Sequence, residues 1–350
     1  MSFTVTVQPS GRSFVVDRDE PILSAAIRQG IGLPYGCKDG ACSSCKCKLL
    51  EGRVIHGAHQ TKALSAEEEA AGWTLTCCAS AQTDVVIEAR TVAGAGEFTV
   101  RKMPARVAQL ERLAPDVMRL LLQLPANDTM QYHAGQYVEF ILRDGARRSY
   151  SMANAPHRVS EVLGTGQPGI ELHLRHMPGG LFTDTVFGTM KERDILRIEG
   201  PFGSFFLRTD TERPIVMLGS GTGLAPLKAL IEHMEHKGIS RPTVLYWGAR
   251  ARADLYLHDW CEAAAARLPW LSYVPVLSEP LTADAWAGRT GFVHHAVMAD
   301  LPDLSGHEVY ACGAPIVVES AQRDFVAQCA LPADAFFADS FVSEADRAKV

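Results

Sequence analysis

The chain has 350 residues, 47% of them hydrophobic and 21% charged, with a net charge of −6. That length allows two or three domains, each burying its own core. The acidic balance excludes the basic surface that nucleic acid requires, and no apolar run is long enough to span a bilayer.

The N-terminal "MSFTVTVQPSGRSF" alternates like a strand and lacks the charged start and apolar stretch of a signal peptide. A cytoplasmic protein is expected, whose nine cysteines stay reduced and serve metal or redox chemistry. "FTVTV" and "SFVVD", joined by "QPSG", predict a hairpin. Asp19 is the expected cap of a helix over "ILSAAIRQ", with Pro21 in its first turn and Gly30 ending it. Ser65 and Glu68 form a capping box, and "DVVIEA" reads as a strand. Together these predict a small α+β module of β-grasp type over residues 1–92.

Within it, Cys37, Cys42 and Cys45 are spaced C-x4-C-x2-C, and Cys77 follows Cys45 by 32 positions. This is the plant-type spacing for a [2Fe-2S] cluster, three ligands on one loop and a distant fourth. Gly36 and Gly40 allow tight turns that aim amides at the sulfurs. Zinc fits less well, because only one C-x2-C pair is present. "PYGCKDGACSSC" and "LTCCASAQTDV" resemble plant-type ferredoxin domains, whose last ligand sits in a Leu-x-Cys-x-Ala context. That resemblance selects Cys77 and leaves Cys78 a bystander; Cys47 reads as a strand residue. Ser43 stands where most relatives carry glycine.

Residues 93–103, rich in glycine and small residues, form the expected linker. Beyond it "ARVAQLERL", "DVMRLLLQL", "GQYVEFIL", "RRSYSMA" and "GIELHLR" predict an antiparallel β-barrel over residues 104–208, with "GLFTDTVFGTM" as an inserted helix. "RRSYSMAN" places Arg148 to pair with a phosphate, Tyr150 to stack on a flat ring and Ser151 to hydrogen-bond a ring nitrogen. Gly179 and Gly180 precede Thr183 at a helix start that suits a pyrophosphate.

From residue 209 to 341 apolar strands alternate with amphipathic helices, which predicts an α/β doubly wound sheet; 342–350 is a tail. "IVMLGSGTGLAPLKAL" sets Gly219, Gly221 and Gly223 between a strand and a helix, with Pro226 in the helix's first turn. Such a loop brings backbone close to a dinucleotide pyrophosphate. "YWGARARADLY" and "VYACGAP" fall at the ends of later strands. Arg250 and Arg252 are either 2′-phosphate ligands or solvated charges. The scattered histidines make no metal pattern; His294 and His295, side by side, are expected to point opposite ways on a strand or to diverge on a helix, and so to take no ligand role. Phe336, Phe337 and Phe341 are expected to be mostly core.

Residues 104–340 resemble the ferredoxin–NADP reductase superfamily, which writes its flavin site R-x-Y-S/T and G-G-x-x-S/T and its NAD(P) loop with the G-S-G-T-G-x-x-P pattern seen here. The resemblance implies FAD held by Arg148, Tyr150, Ser151, Gly179, Gly180 and Thr183. It implies NADH, or NADPH, held by Gly219, Gly221, Gly223, Pro226 and Arg250, with NADH favoured. Cys312 and Gly313 would lie beside the nicotinamide and Phe341 against the flavin, Ser151 and Cys312 orienting the reacting rings. The domain order resembles the reductase components of bacterial oxygenases and the CDP-6-deoxy-glucoseen reductases of dideoxysugar synthesis. It implies an NAD(P)H-dependent iron–sulfur flavoprotein reductase, expected to be a monomer, whose acceptor is an oxygenase component or a sugar dehydrase. The rival from another class is a redox-sensing iron–sulfur protein without turnover.

Overall fold

The computed structural model describes residues 1–127 and 130–342; the expected tail, from residue 343 onward, lies outside them. The described chain divides into two compact units, one of residues 1–99, 203–205 and 342, the other of residues 100–202 and 206–341.

In the first unit β1 (Ser2–Gln8) and β2 (Arg12–Asp17) form the expected hairpin, followed by α1 (Ile22–Arg28), β3 (Lys46–Glu51) and β4 (Val54–His56). Then come α2 (Ala66–Ala70), β5 (Trp73–Leu75), β6 (Ala79–Ala81) and β7 (Val85–Glu88). The main sheet has the order β2-β1-β7-β3-β5, with β1 and β7 parallel. Alternation buries Val5, Val7, Phe14, Val16 and Ile87 on one face against Ile22, Leu23 and Ala26 of α1. This is the β-grasp arrangement. The Ser65–Glu68 capping box is present. The Asp19 cap is not: Pro21 itself is the N-cap position, and no side chain caps α1. The helix starts too late for Asp19 to reach its free amides; instead the Leu23 N–H donates to the Thr76 carbonyl (2.8 Å).

The second unit opens with β8 (Arg101–Ala114), so residues 101–103 of the expected linker are already strand. It continues through β9 (Val117–Gln123), β10 (Tyr137–Ile141), β11 (Arg147–Ser151), β12 (Gly169–Arg175), α3 (Leu181–Gly188) and β13 (Ile195–Phe202). These strands form an antiparallel sheet in the order β11-β10-β13-β8-β9-β12, and a Met152–Leu172 bridge closes it into a barrel. Leu120, Leu122, Val138, Phe140, Ile170 and Ile198 fill the interior.

The rest of that unit runs β14 (Ile215–Ser220), α4 (Leu224–Lys237), β15 (Thr243–Ala249), α5 (His258–Arg267), β16 (Leu271–Leu277) and β17 (Arg289–Thr290). It ends with α6 (Val293–Asp300), β18 (Glu308–Gly313), α7 (Pro315–Gln328) and β19 (Phe336–Ser340). All six strands are parallel, in the order β17-β16-β15-β14-β18-β19. Strand order reverses between β14 and β18, so the crevice at their carboxyl ends is where such a sheet takes its ligand.

Four histidines gather where α4 meets the barrel. His157 stacks on His236 with centroids 3.9 Å apart. His233 is held neutral: burial first, then Lys237, His133, His157 and His236, push its pKa down to about 4. A histidine so depressed contributes stability that is full above its ordinary value and lost as pH falls from there through about 4. Urea unfolding at pH 7 and pH 5 should therefore show a loss of stability on acidification that is smaller in His233→Gln.

Candidate electron-transfer centres

The first centre is the loop between α1 and β3. Its cysteine-bearing part bends through three left-handed residues, Lys38 (φ 63°), Gly40 (φ 73°) and Ser43 (φ 61°). At Gly40 a Cβ would lie 2.7 Å from the Cβ of His59, so both the conformation and the space demand glycine. Ser43 tolerates the left-handed region with its hydroxyl donating to the Ala63 carbonyl (3.2 Å). The curl turns amides toward sulfur: the Cys37 N–H donates to Cys42 Sγ (3.3 Å), and the Ala41 N–H to Cys37 Sγ (3.4 Å).

The four predicted ligand thiols converge. Cys42 acts electrostatically on Cys37, Cys45 and Cys77, while Cys45 and Cys77 hydrogen-bond each other. Its hydrogen bond from Cys37 brings the Cys42 thiol down to about 6. Four converging sulfurs with backbone donors aimed at two of them fit a thiolate-bound cluster, whose charge such donors stabilise. Cys47 lies apart in β3, paired with Thr74, and burial pushes its thiol up to about 12. Cys78 sits beside Cys77, its Sγ turned toward the Leu75 carbonyl.

The second centre is assembled at the crevice between β14 and β18. Gly219, Gly221 (φ 53°) and Gly223 carry the chain from β14 into α4, with Pro226 buried in the first turn. A Cβ on Gly223 would lie 2.1 Å from the Cys312 carbonyl oxygen, and one on Gly313 (φ 135°) 2.4 Å from Ser220 Oγ. The two loops thus interlock backbone to backbone. Trp247 Nε1 donates to the Gly221 carbonyl (2.9 Å), and the Phe341 N–H to the Gly313 carbonyl (2.8 Å). Parallel pairing of β18 and β19 sets Asp339 opposite Cys312. Asp339 Oδ2 accepts from the Ser151 hydroxyl (2.9 Å) and lies 3.9 Å from Cys312 Sγ. Burial first, then Asp339, push the Cys312 thiol up and keep it neutral.

On the barrel side Tyr150 packs against Phe140 and Phe182, with centroids 5.7 and 5.6 Å away. Arg148 Nη1 donates to the Arg147 carbonyl (2.8 Å). The glycine turn is tied together by its own hydrogen bonds. The Thr183 hydroxyl donates to the Met177 carbonyl (2.9 Å), and the Gly179 N–H donates to Asp184 Oδ2 (3.1 Å). Gly180 is tight against Thr183, where a Cβ would come within 2.7 Å of Oγ1. Thr183 therefore shapes the loop, and a carboxylate already stands at this helix start.

Three family models match in order. An iron–sulfur cluster binding domain covers residues 5–82, an oxidoreductase FAD-binding domain 104–207 and an oxidoreductase NAD-binding domain 217–323. The CDP-6-deoxy-L-threo-D-glycero-4-hexulose-3-dehydrase reductase of Yersinia pestis is 39% identical over 98% of this chain and 99% of its own. Reductase component 2 of a Comamonas terephthalate 1,2-dioxygenase is 34% identical over 98% of both. The crystal structure of the Amycolatopsis cytochrome P450 reductase GcoB superposes with a TM-score of 0.79 at 34% identity, covering 97% of this chain and 98% of that one. The chain belongs to the iron–sulfur flavoprotein reductases.

As a member of that family the chain takes a [2Fe-2S] cluster, FAD and a nicotinamide nucleotide, and passes electrons from the nucleotide through the flavin and the cluster. No helix among its described residues is long and apolar enough to cross a membrane.

Two features of this reductase escaped the sequence. Asp339 joins Ser151 and Cys312 although no motif marks it. Lys228 of α4 is buried and donates to the Ala153 carbonyl (3.0 Å), Glu171 Oε2 (3.3 Å) and Glu232 Oε1 (2.8 Å). Burial alone would raise the Glu171 carboxyl, yet His173, Lys228 and Arg119 hold it well below the usual carboxylate range. Glu232 also accepts from the Ala155 N–H (2.9 Å), so α4 grips the segment that follows Ser151. Removing one partner of a buried ionic group costs about 3–5 kcal/mol. Lys228→Met should accordingly lower the unfolding midpoint sharply, and adding Glu171→Gln should restore part of the loss. Arg250 is 61% exposed, with Asp254 at 3.6 Å and Asp116 at 3.9 Å.

Proposed function

We propose that the chain delivers single electrons to a partner protein that is the terminal component of an oxygenase, working as a cytoplasmic monomer. The observation that carries the reading is the convergence of Ser151, Cys312 and Asp339 at the crevice between β14 and β18. Bound flavin supplies two-electron acceptance from a hydride and one-electron release, and the cluster supplies one-electron carriage. In this reading the glycine loop and the start of α4 receive the nucleotide's pyrophosphate, while Cys312 and Gly313 form a dry wall beside its nicotinamide. Ser151, fixed by Asp339, and Tyr150, fixed by Phe140 and Phe182, would seat the flavin ring, with Arg148 to pair with its phosphates and Phe341 as a further aromatic against it. Cys37, Cys42, Cys45 and Cys77 hold the cluster.

A separate observation concerns the nucleotide. Asp116 and Asp254 flank Arg250 and counter its charge, which leaves it poorly placed to reward a 2′-phosphate. We therefore assign NADH as the donor. The 39% identity to a hexulose-3-dehydrase reductase favours a second reading, in which the acceptor is a sugar dehydrase.

Anaerobic addition of NADH to the purified holoprotein tests the reductase reading; a flavin band that fails to bleach would sink it and favour a sensor. NADH consumption on adding an oxygenase component, against addition of a sugar dehydrase, separates the two acceptors.

A further inference from the structure

His294 and His295 do not diverge as their adjacency suggests. Neighbours on a helix are about 100° apart, but these two stand at the start of α6, where long side chains can lean together. Their ring centroids are 4.1 Å apart. Asp324, from the facing α7, completes a group whose ligand atoms all lie within 4.8 Å of one another. His294 and Asp324 are buried, whereas His295 is exposed, so the group opens to solvent on one side.

The contact between His294 and Asp324 has an informative length. His294 Nε2 stands 3.4 Å from Asp324 Oδ2, long for a charge-assisted hydrogen bond. Tetrahedral bonds of about 2.0–2.1 Å, as zinc makes to nitrogen and oxygen, separate neighbouring ligand atoms by roughly 3.3–3.4 Å. One group opposes a cation here. Arg323 donates to both Asp324 oxygens, Nε to Oδ1 at 2.8 Å and Nη2 to Oδ2 at 3.1 Å. Its side chain is 68% exposed and can swing away.

We propose that His294, His295 and Asp324 bind a divalent transition ion of the imidazole-preferring class, zinc above all, with water completing its shell. The ion would tie α6 to α7, the helix whose first residues follow the Cys312–Gly313 loop. It is separate from the iron of the cysteine loop and takes no part in electron transfer. Two nitrogen donors and one carboxylate suit zinc, nickel or copper, and discriminate against magnesium and calcium, which favour oxygen.

The test is zinc titration of the cluster- and flavin-loaded protein against a chromophoric chelator, with iron content measured alongside. One zinc should bind per chain, without loss of iron, and raise the thermal midpoint, whereas magnesium should do neither. His295→Ala, at an exposed position, should weaken binding at least about tenfold while leaving NADH–ferricyanide activity unchanged. Arg323→Gln should tighten it, because the competing cation is gone. Equal zinc affinity in the native protein and both variants would overturn the proposal, as would zinc that binds only by displacing iron.

Discussion

Cys42→Ser should abolish electron delivery to a one-electron protein acceptor while NADH–ferricyanide activity persists. Cys42 is the hub of the thiol group: it receives the Cys37 N–H and acts on Cys37, Cys45 and Cys77. A hydroxyl in its place is a harder, more basic donor that does not match the sulfur set. Visible absorption of the cluster should vanish with the delivery, and flavin content should stay, because the change lies in the first compact unit. Survival of both activities would disprove the ligand assignment; loss of both would show that the substitution unfolds the chain.

Asp339→Ala should slow flavin reduction by NADH about 10- to 100-fold, with a smaller change in nucleotide affinity. The Asp339 carboxylate is the common neighbour of Ser151 and Cys312, at 2.9 and 3.9 Å. Without it the Ser151 hydroxyl loses its fixed partner and Cys312 gains room to turn. Misplacement of reacting groups by about an ångström costs rates of that order. Stopped-flow bleaching with NADH and its deuterated form distinguishes the causes. A slower reaction with an undiminished isotope effect places the loss in hydride transfer; a vanished isotope effect points to slow binding and refutes the positioning role. Asp339→Asn, which can still accept from Ser151, should recover much of the rate.

The parts of this molecule that were legible in its sequence are those in which chemistry follows local spacing. C-x4-C-x2-C acts over nine residues, and the glycine loop between β14 and α4 over a single turn, so both can be read without the fold. Strand alternation announced the β-grasp sheet and the barrel for the same reason. Asp339 was not legible, because its role follows from the register of β18 on β19 and from a hydrogen bond to a residue 188 positions earlier. Lys228 reads as an ordinary polar position on an amphipathic helix; only the barrel packed against α4 buries it. The expected cap at Asp19 failed because the N-cap position falls two residues later, on Pro21, and the helix begins at Ile22. The meeting of the His294 and His295 rings is not legible because a helical wheel fixes where side chains leave the backbone and says nothing about where their ends meet.

The interlock of Gly223 with the Cys312 carbonyl and of Gly313 with Ser220 has a bearing on engineering. Loops are the usual currency of specificity exchange, moved one at a time between homologues. Here neither loop has room for a differently shaped counterpart: a single added methyl on either side collides with main chain or hydroxyl of the other. A chimera that imports one of them alone should misfold locally, whereas importing both together preserves the fit. Retargeting the donor of this reductase is therefore a two-segment graft, with residues 219–223 and 312–314 travelling as one part.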